Sequence, residues 1–188
     1  MSKQQNIIVA ITGASGSIYA LRLMQKLEGL SEQWGKVAVI ASKNAAGIWK
    51  EEIGSPALNS FNFDYYEPGN FYAPFASGSS SYSTMLVVPC SMGTLGRIAH
   101  GTSDDLIIRA ADVMLKERRK LILLPRENPF NLIHVNAMKT VTEAGAIVCN
   151  SSPSFYSGPK NLTEAVDTVV DRMLDLAGFD IQTFRWRE

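Results

Sequence analysis

Hydroxyl, guanidinium and carboxylate side chains recur in this chain at one kind of place, directly behind short apolar runs. Ser15 follows the run 7–11, Ser42 the run 36–41, Ser91 and Thr94 the run 85–88, and Arg126 and Glu127 the run 121–124. Hydroxyls with an arginine suit a phosphate, because the guanidinium fork matches its oxygens. A glutamate beside them can carry protons if burial and neighbours tune it. The turn Gly13-Ala14-Ser15-Gly16 adds backbone N–H groups and the start of a helix, together an anion site. Its spacing is not the G-x-G-x-x-G dinucleotide fingerprint, and no Gly-Lys-Ser/Thr follows to make a Walker loop. The motif therefore indicates a phosphate without indicating whose.

The elements that must position these residues are legible in the apolar pattern. Residues 7–11 and 36–41 read as strands buried on both faces, the habit of parallel sheets. Further strands are predicted over 85–88, 121–124 and 146–149, with a short one among Phe61, Phe63 and Tyr65. Helical spacing is predicted from Ile18 to a stop at Gly29, over 43–52, over 93–99, over 104–119 with an Asp cap, over 131–143 and over 163–177. Ser42 is an N-cap by type and also stands where ligands of open α/β sheets bind, so one hydroxyl can serve both roles. Arg109, Asp112 and Lys116 share one helical face, either solvated or forming a pocket wall with two cations for a phosphate. Arg126 and Glu127 are either a self-satisfied pair or a phosphate contact beside an acid/base. His100 and His134 read as structural. Residues 55–83 form a long irregular segment whose aromatics either cover an apolar ligand or pack on the protein or another subunit. The count gives a Rossmann-like, doubly wound α/β fold. Its mainly parallel sheet has about six strands, with helices on both faces. All the polar residues that follow strands converge on one edge.

Composition narrows the class. A length of 188 residues suits one domain over 1–188. Zero formal net charge calls for neither nucleic acid nor an anionic membrane. Two cysteines, Cys90 and Cys149, lie far apart, which fits a reducing cytoplasm and gives neither a disulfide framework nor a zinc site. A polar start and the lack of a long apolar run argue against export and membrane spanning.

Several stretches together resemble one family, the UbiX/Pad-type flavin prenyltransferases. They are Thr12-Gly-Ala-Ser-Gly, Ala76-Ser-Gly-Ser, Pro89-Cys-Ser-Met-Gly-Thr, the run from Arg109 to Arg119, Pro125-Arg-Glu-Asn-Pro and Phe155-Tyr. They span nearly the whole chain in order, and the stretch from Arg109 through Glu127 is the most specific. The resemblance implies a domain that binds FMN and transfers a dimethylallyl group from dimethylallyl phosphate to N5 and C6 of reduced FMN. No metal is implied. The product would serve a UbiD-type decarboxylase, as in ubiquinone biosynthesis. By position, Gly13, Ala14, Ser15, Ser42, Ser91, Met92, Gly93, Thr94 and Arg126 would hold FMN. Arg109, Lys116, Tyr156 and Arg172 would hold the prenyl phosphate, and Ser15, Glu52 and Glu127 would take part in the chemistry. The family also implies a homo-oligomer, a dodecamer, in which copies share sites. The alternatives are an FMN-dependent peptidyl-cysteine decarboxylase and an FMN carrier without prenyl transfer. The carrier would not need the cations Arg109, Lys116 and Arg172.

Overall fold

The computed structural model describes residues 4–185 and 187. Strands β1 (Gln5–Ile11), β2 (Trp34–Ala41), β3 (Asp64–Tyr66), β4 (Tyr82–Cys90), β5 (Lys120–Pro125) and β6 (Ile147–Val148) form one sheet. Its order is β3-β2-β1-β4-β5-β6 and every neighbouring pair is parallel. Helices α1 (Ser17–Gly29), α2 (Ala45–Glu52), α3 (Met92–His100), α4 (Leu106–Lys116), α5 (Leu132–Glu143) and α6 (Leu162–Ala177) cover both faces. This is the doubly wound fold that the apolar runs predict.

Alternation along the strands builds two cores, one on each face. Ile7, Val9 and Ile11 pack with Val37, Val39, Leu86 and Ile122 against α1, α2 and α6. Ile8 and Ala10 pack with Ile40, Met85, Val87 and Leu123 against α3, α4 and α5. The chain leaves β1 towards β2 and β3 and returns to the other side for β4, β5 and β6. The strand order therefore reverses between β1 and β4, where open sheets of this kind bind ligands.

Several element ends differ from the sequence expectation. Helix α2 starts at Ala45 with Asn44 in the N-cap position, so Ser42 is not its cap; the backbone first runs through a turn in which Ala45 N–H donates to the Ser42 carbonyl. The Asp cap of α4 is Asp105, whose Oδ1 accepts from Ile108 N–H, and the helix ends at Lys116 rather than 119. Ser91 does cap α3, accepting from Thr94 N–H. His134 is structural: its ring nitrogen faces the Asn131 N–H in a capping box at the start of α5. Of the run Phe61, Phe63 and Tyr65, only residues 64–66 pair with β2, while Phe61 and Phe63 stack ahead of them.

The long segment 55–83 is anchored by Phe75. Its ring is fully buried and meets Tyr66 and Tyr82 edge-on at 5.0 Å and 5.1 Å. Arg119 then ties the end of the segment down by donating to the carbonyls of Gly78 and Tyr82. Phe71 and Tyr72, in contrast, stay exposed. Truncating Phe75 leaves a cavity where three aromatic rings meet. Phe75→Ala is expected to cost about 3–5 kcal/mol of stability, read as a fall in the urea midpoint.

Candidate functional site

Ladder bonds continue past the strand ends and lash the loops together. The Thr12 hydroxyl is buried, donates to the Pro89 carbonyl at 2.7 Å and accepts from Ser91 N–H at 2.8 Å. Ser42 N–H donates to the Ile11 carbonyl, and Arg126 N–H to the Cys90 carbonyl. These bonds bring Gly13, Ser42, Ser91, Thr94 and Arg126 to one edge, as expected.

A cavity of about 430 Å³ opens there, lined by Gly13, Ser42, Asn44, Ser91, Thr94 and Arg97, with Asp104 and Asp105 at its side. Helix α3 begins at its wall. The Ser91 hydroxyl accepts from Thr94 N–H and donates to Thr94 Oγ1, and the first N–H groups of the helix, at Met92 and Gly93, have no partner within it. Gly13 is needed for closeness: a Cβ there would stand 2.6 Å from the Asn44 Cβ. Asn44, Arg97, Asp104 and Asp105 were not among the site residues expected from the sequence. Arg97 had a signal, since it sits one turn along α3 from the hydroxyl pair.

The first glycine turn differs from expectation. Gly16, at φ 114, opens α1, and the donors at that helix start are taken by the chain's own Glu52. Gly16 N–H donates to Glu52 Oε2 at 2.9 Å and Ser17 N–H at 2.8 Å. The start of α1 thus holds a fixed carboxylate of the chain itself. Burial pushes the Glu52 carboxyl up, but the Ser15 hydroxyl and the Ser17 and Gly16 N–H groups outweigh it, so it sits below the ordinary range. Arg126 completes the turn by donating from Nε to the Ser15 carbonyl at 2.9 Å. Ala14 is half-buried and Ser15 exposed, and neither lines the cavity.

Glu127 is exposed rather than shielded, and it forms no pair with Arg126. The chain turns outward behind β5, and Glu127 Oε1 accepts from Asn128 N–H. Nor does the chain gather the four cation and tyrosine positions around the cavity. Lys116 ends α4 at the amino edge of the sheet, just ahead of β5, and its Nζ lies 2.6 Å from Glu117 Oε1. Arg109, half-buried, precedes it by about 10 Å along the helix. Arg172 pairs with Asp175 on α6, in a separate cavity of about 910 Å³ between that helix and residues 182–185. Tyr156 is exposed ahead of α6. Among the described residues, no group of three or more His, Cys, Asp or Glu side chains could hold a metal ion, and no helix is long and apolar enough to cross a membrane.

Comparison with known proteins places this geometry. Residues 1–176 match the Flavoprotein family. The flavin prenyltransferase UbiX of Methanocaldococcus jannaschii is 48% identical over 183 residues, covering 96% of this chain and 97% of that protein. The chain belongs to the flavin prenyltransferase family. The crystal structure of AnUbiX (PadA1) in complex with FMN and dimethylallyl pyrophosphate superposes with a TM-score of 0.90 at 35% identity, over 99% of this chain and all of that one. A dodecameric FMN-dependent UbiX-like decarboxylase from Escherichia coli O157:H7 matches at TM-score 0.90 and 33% identity, over 97% of this chain and 100% of that one. Within this flavin prenyltransferase, Glu52 is the carboxylate that binds two parts of the site together, the end of α2 and the start of α1.

Because folding lowers the Glu52 pKa, its ionised form stabilises the folded state above the ordinary glutamate range. That contribution fades as pH falls through the lowered value. Glu52→Gln is therefore expected to be less stable than the parent at neutral pH, with the gap in urea midpoint closing on acidification below the ordinary glutamate range.

Proposed function

We propose that this chain forms a single FMN-binding domain over 1–188 that joins the dimethylallyl group of dimethylallyl phosphate to reduced FMN. One observation carries this reading: the hydroxyl-lined cavity at the strand-order reversal, in a chain alike over nearly its whole length to flavin prenyltransferases. The cavity fits a phosphate-bearing flavin, with the start of α3, Ser42, Ser91 and Thr94 as donors to the phosphate and Gly13 allowing close approach. Met92 and Gly93 add their N–H groups, and Ala14, Ser15 and Arg126 adjoin it. When bound, reduced FMN supplies the nucleophilic centres N5 and C6.

The chain's own residues bind and orient around that reaction. Ser15 and Glu52 share one hydrogen-bonded unit at the start of α1, so a proton arriving at the Ser15 hydroxyl has an acceptor in contact. Arg109, Lys116 and Arg172 neutralise the departing phosphate, and Tyr156 donates a hydrogen bond to it. Lys116 is at the far edge of the sheet, so it reaches the cavity only from another copy of the chain. An assembly is supported by the exposed Phe130, Leu132, Ile133 and Val135 on and before α5, apolar surface of the kind that pairs with protein. We take that assembly to be a dodecamer, as in the E. coli relative, and Glu127 to be covered in it. The recipient of the product is a UbiD-type decarboxylase. Cytoplasmic placement is supported by the free thiols of Cys90 and Cys149.

Anaerobic incubation with reduced FMN and dimethylallyl phosphate, followed by mass analysis of the released flavin, tests the reading. The expected result is FMN enlarged by one dimethylallyl unit; unchanged flavin overturns it. Glu127→Gln keeps size but removes proton transfer. It is expected to bind FMN and donor as the parent does while product forms about 10²–10⁴ more slowly. Product at the parent rate would show that Glu127 has no part in the chemistry.

A further inference from the structure

We propose that Arg97 selects the phosphorylated flavin in this cavity, with Asp104 as an internal competitor that the phosphate displaces. The proposal rests on the FMN reading given above. Arg97 projects from α3 into the cavity that Ser42, Ser91 and Thr94 line. Side chains on a helix lean towards its N-terminus, so the guanidinium lies on the side where the first N–H groups of α3 emerge. Its Nη1 donates to Asp104 Oδ1 and Asp105 Oδ2, each at 2.8 Å. Both carboxylates thus use one nitrogen, and a guanidinium carries donors on two more. Those remaining donors can meet a phosphate while Asp105 still holds the group in place.

The two aspartates are not equivalent. Asp105 is 22% exposed and caps α4 through its other oxygen, so it is fixed in the fold. Asp104 is 53% exposed and has no such duty to a helix start, so it can swing into water. With Asp104 in contact, the arginine is overcompensated by two carboxylates. A phosphate dianion gains both from taking the guanidinium and from the retreat of Asp104. Lys43 also lines the cavity but is exposed, so water screens it more. A flavin that lacks the phosphate has nothing to gain from Arg97.

Titrating the purified full chain with FMN and with riboflavin tests this. Arg97→Met is expected to weaken FMN about ten- to a hundredfold and leave riboflavin unchanged. Arg97→Lys, which keeps the charge but not the fork, is expected to fall between. Asp104→Asn is expected to tighten FMN about two- to fivefold, again without effect on riboflavin. An unchanged ratio of FMN to riboflavin affinity in Arg97→Met would overturn the proposal. So would equal weakening of both flavins, which would reduce Arg97 to a tie between α3 and α4, or weaker FMN binding in Asp104→Asn. If the parent chain itself shows no preference for FMN, the cofactor reading fails, and that result is distinct because it needs no variant.

Discussion

The buried hydroxyl of Thr12 holds the site together. Parallel strands end with N–H and C=O groups that the ladder no longer pairs, and buried groups of this kind must find partners. Between β1 and β4 the Thr12 side chain supplies them, one bond to the Pro89 carbonyl and one from Ser91 N–H. The two loops at the strand-order reversal are therefore fixed relative to each other before any ligand arrives. Everything that lines the cavity on its α3 side inherits this register, including the Ser91 cap and the Thr94 hydroxyl.

Of the helix starts at this edge, those of α1 and α3 are treated differently. The positive end of α1 is satisfied internally by the Glu52 carboxylate, brought from 35 residues away to Ser17 N–H. The positive end of α3 is capped only by a serine, which leaves its first N–H groups for a ligand. A carboxylate at the first start repels a second anion there, whereas the second start carries no such charge. The same carboxylate is hydrogen-bonded to the Ser15 hydroxyl, which ties the exposed turn ahead of α1 to the end of α2.

Much of this was legible in the sequence. The apolar runs at 7–11, 36–41 and 121–124 locate three strands to within two residues at either end, because the middles of strands buried on both faces are apolar. Convergence of Ser42, Ser91 and Arg126 on one edge follows from parallelism alone. What local sequence could not give is choice among equivalent local options. Ser42 and Asn44 both suit a helix start, as do Asp104 and Asp105, and the backbone path through the preceding turn selects between them. The Glu52 contact to α1 was hidden for another reason: it joins residues far apart in the chain, and no periodicity reports it. The exposure of Glu127 was not legible because following a core strand fixes where the backbone is, and the loop behind it then decides exposure.

The arrangement also fixes how far apart the two ends of α4 lie. A helix that connects two parallel strands must run back along the sheet, so its ends sit on opposite edges. In α4, Asp105 lies at the cavity of the carboxyl edge and Lys116 at the amino edge. Spacing of seven residues places Arg109 and Lys116 on one face, but two helical turns separate them along the sheet. In the function proposed above, phosphate chemistry that uses both ends of α4 brings the amino edge of one copy to the carboxyl edge of another. The apolar residues left exposed around α5 give such an approach its driving force, since burying Leu132 and Ile133, each 73% exposed, is worth more than leaving them in water.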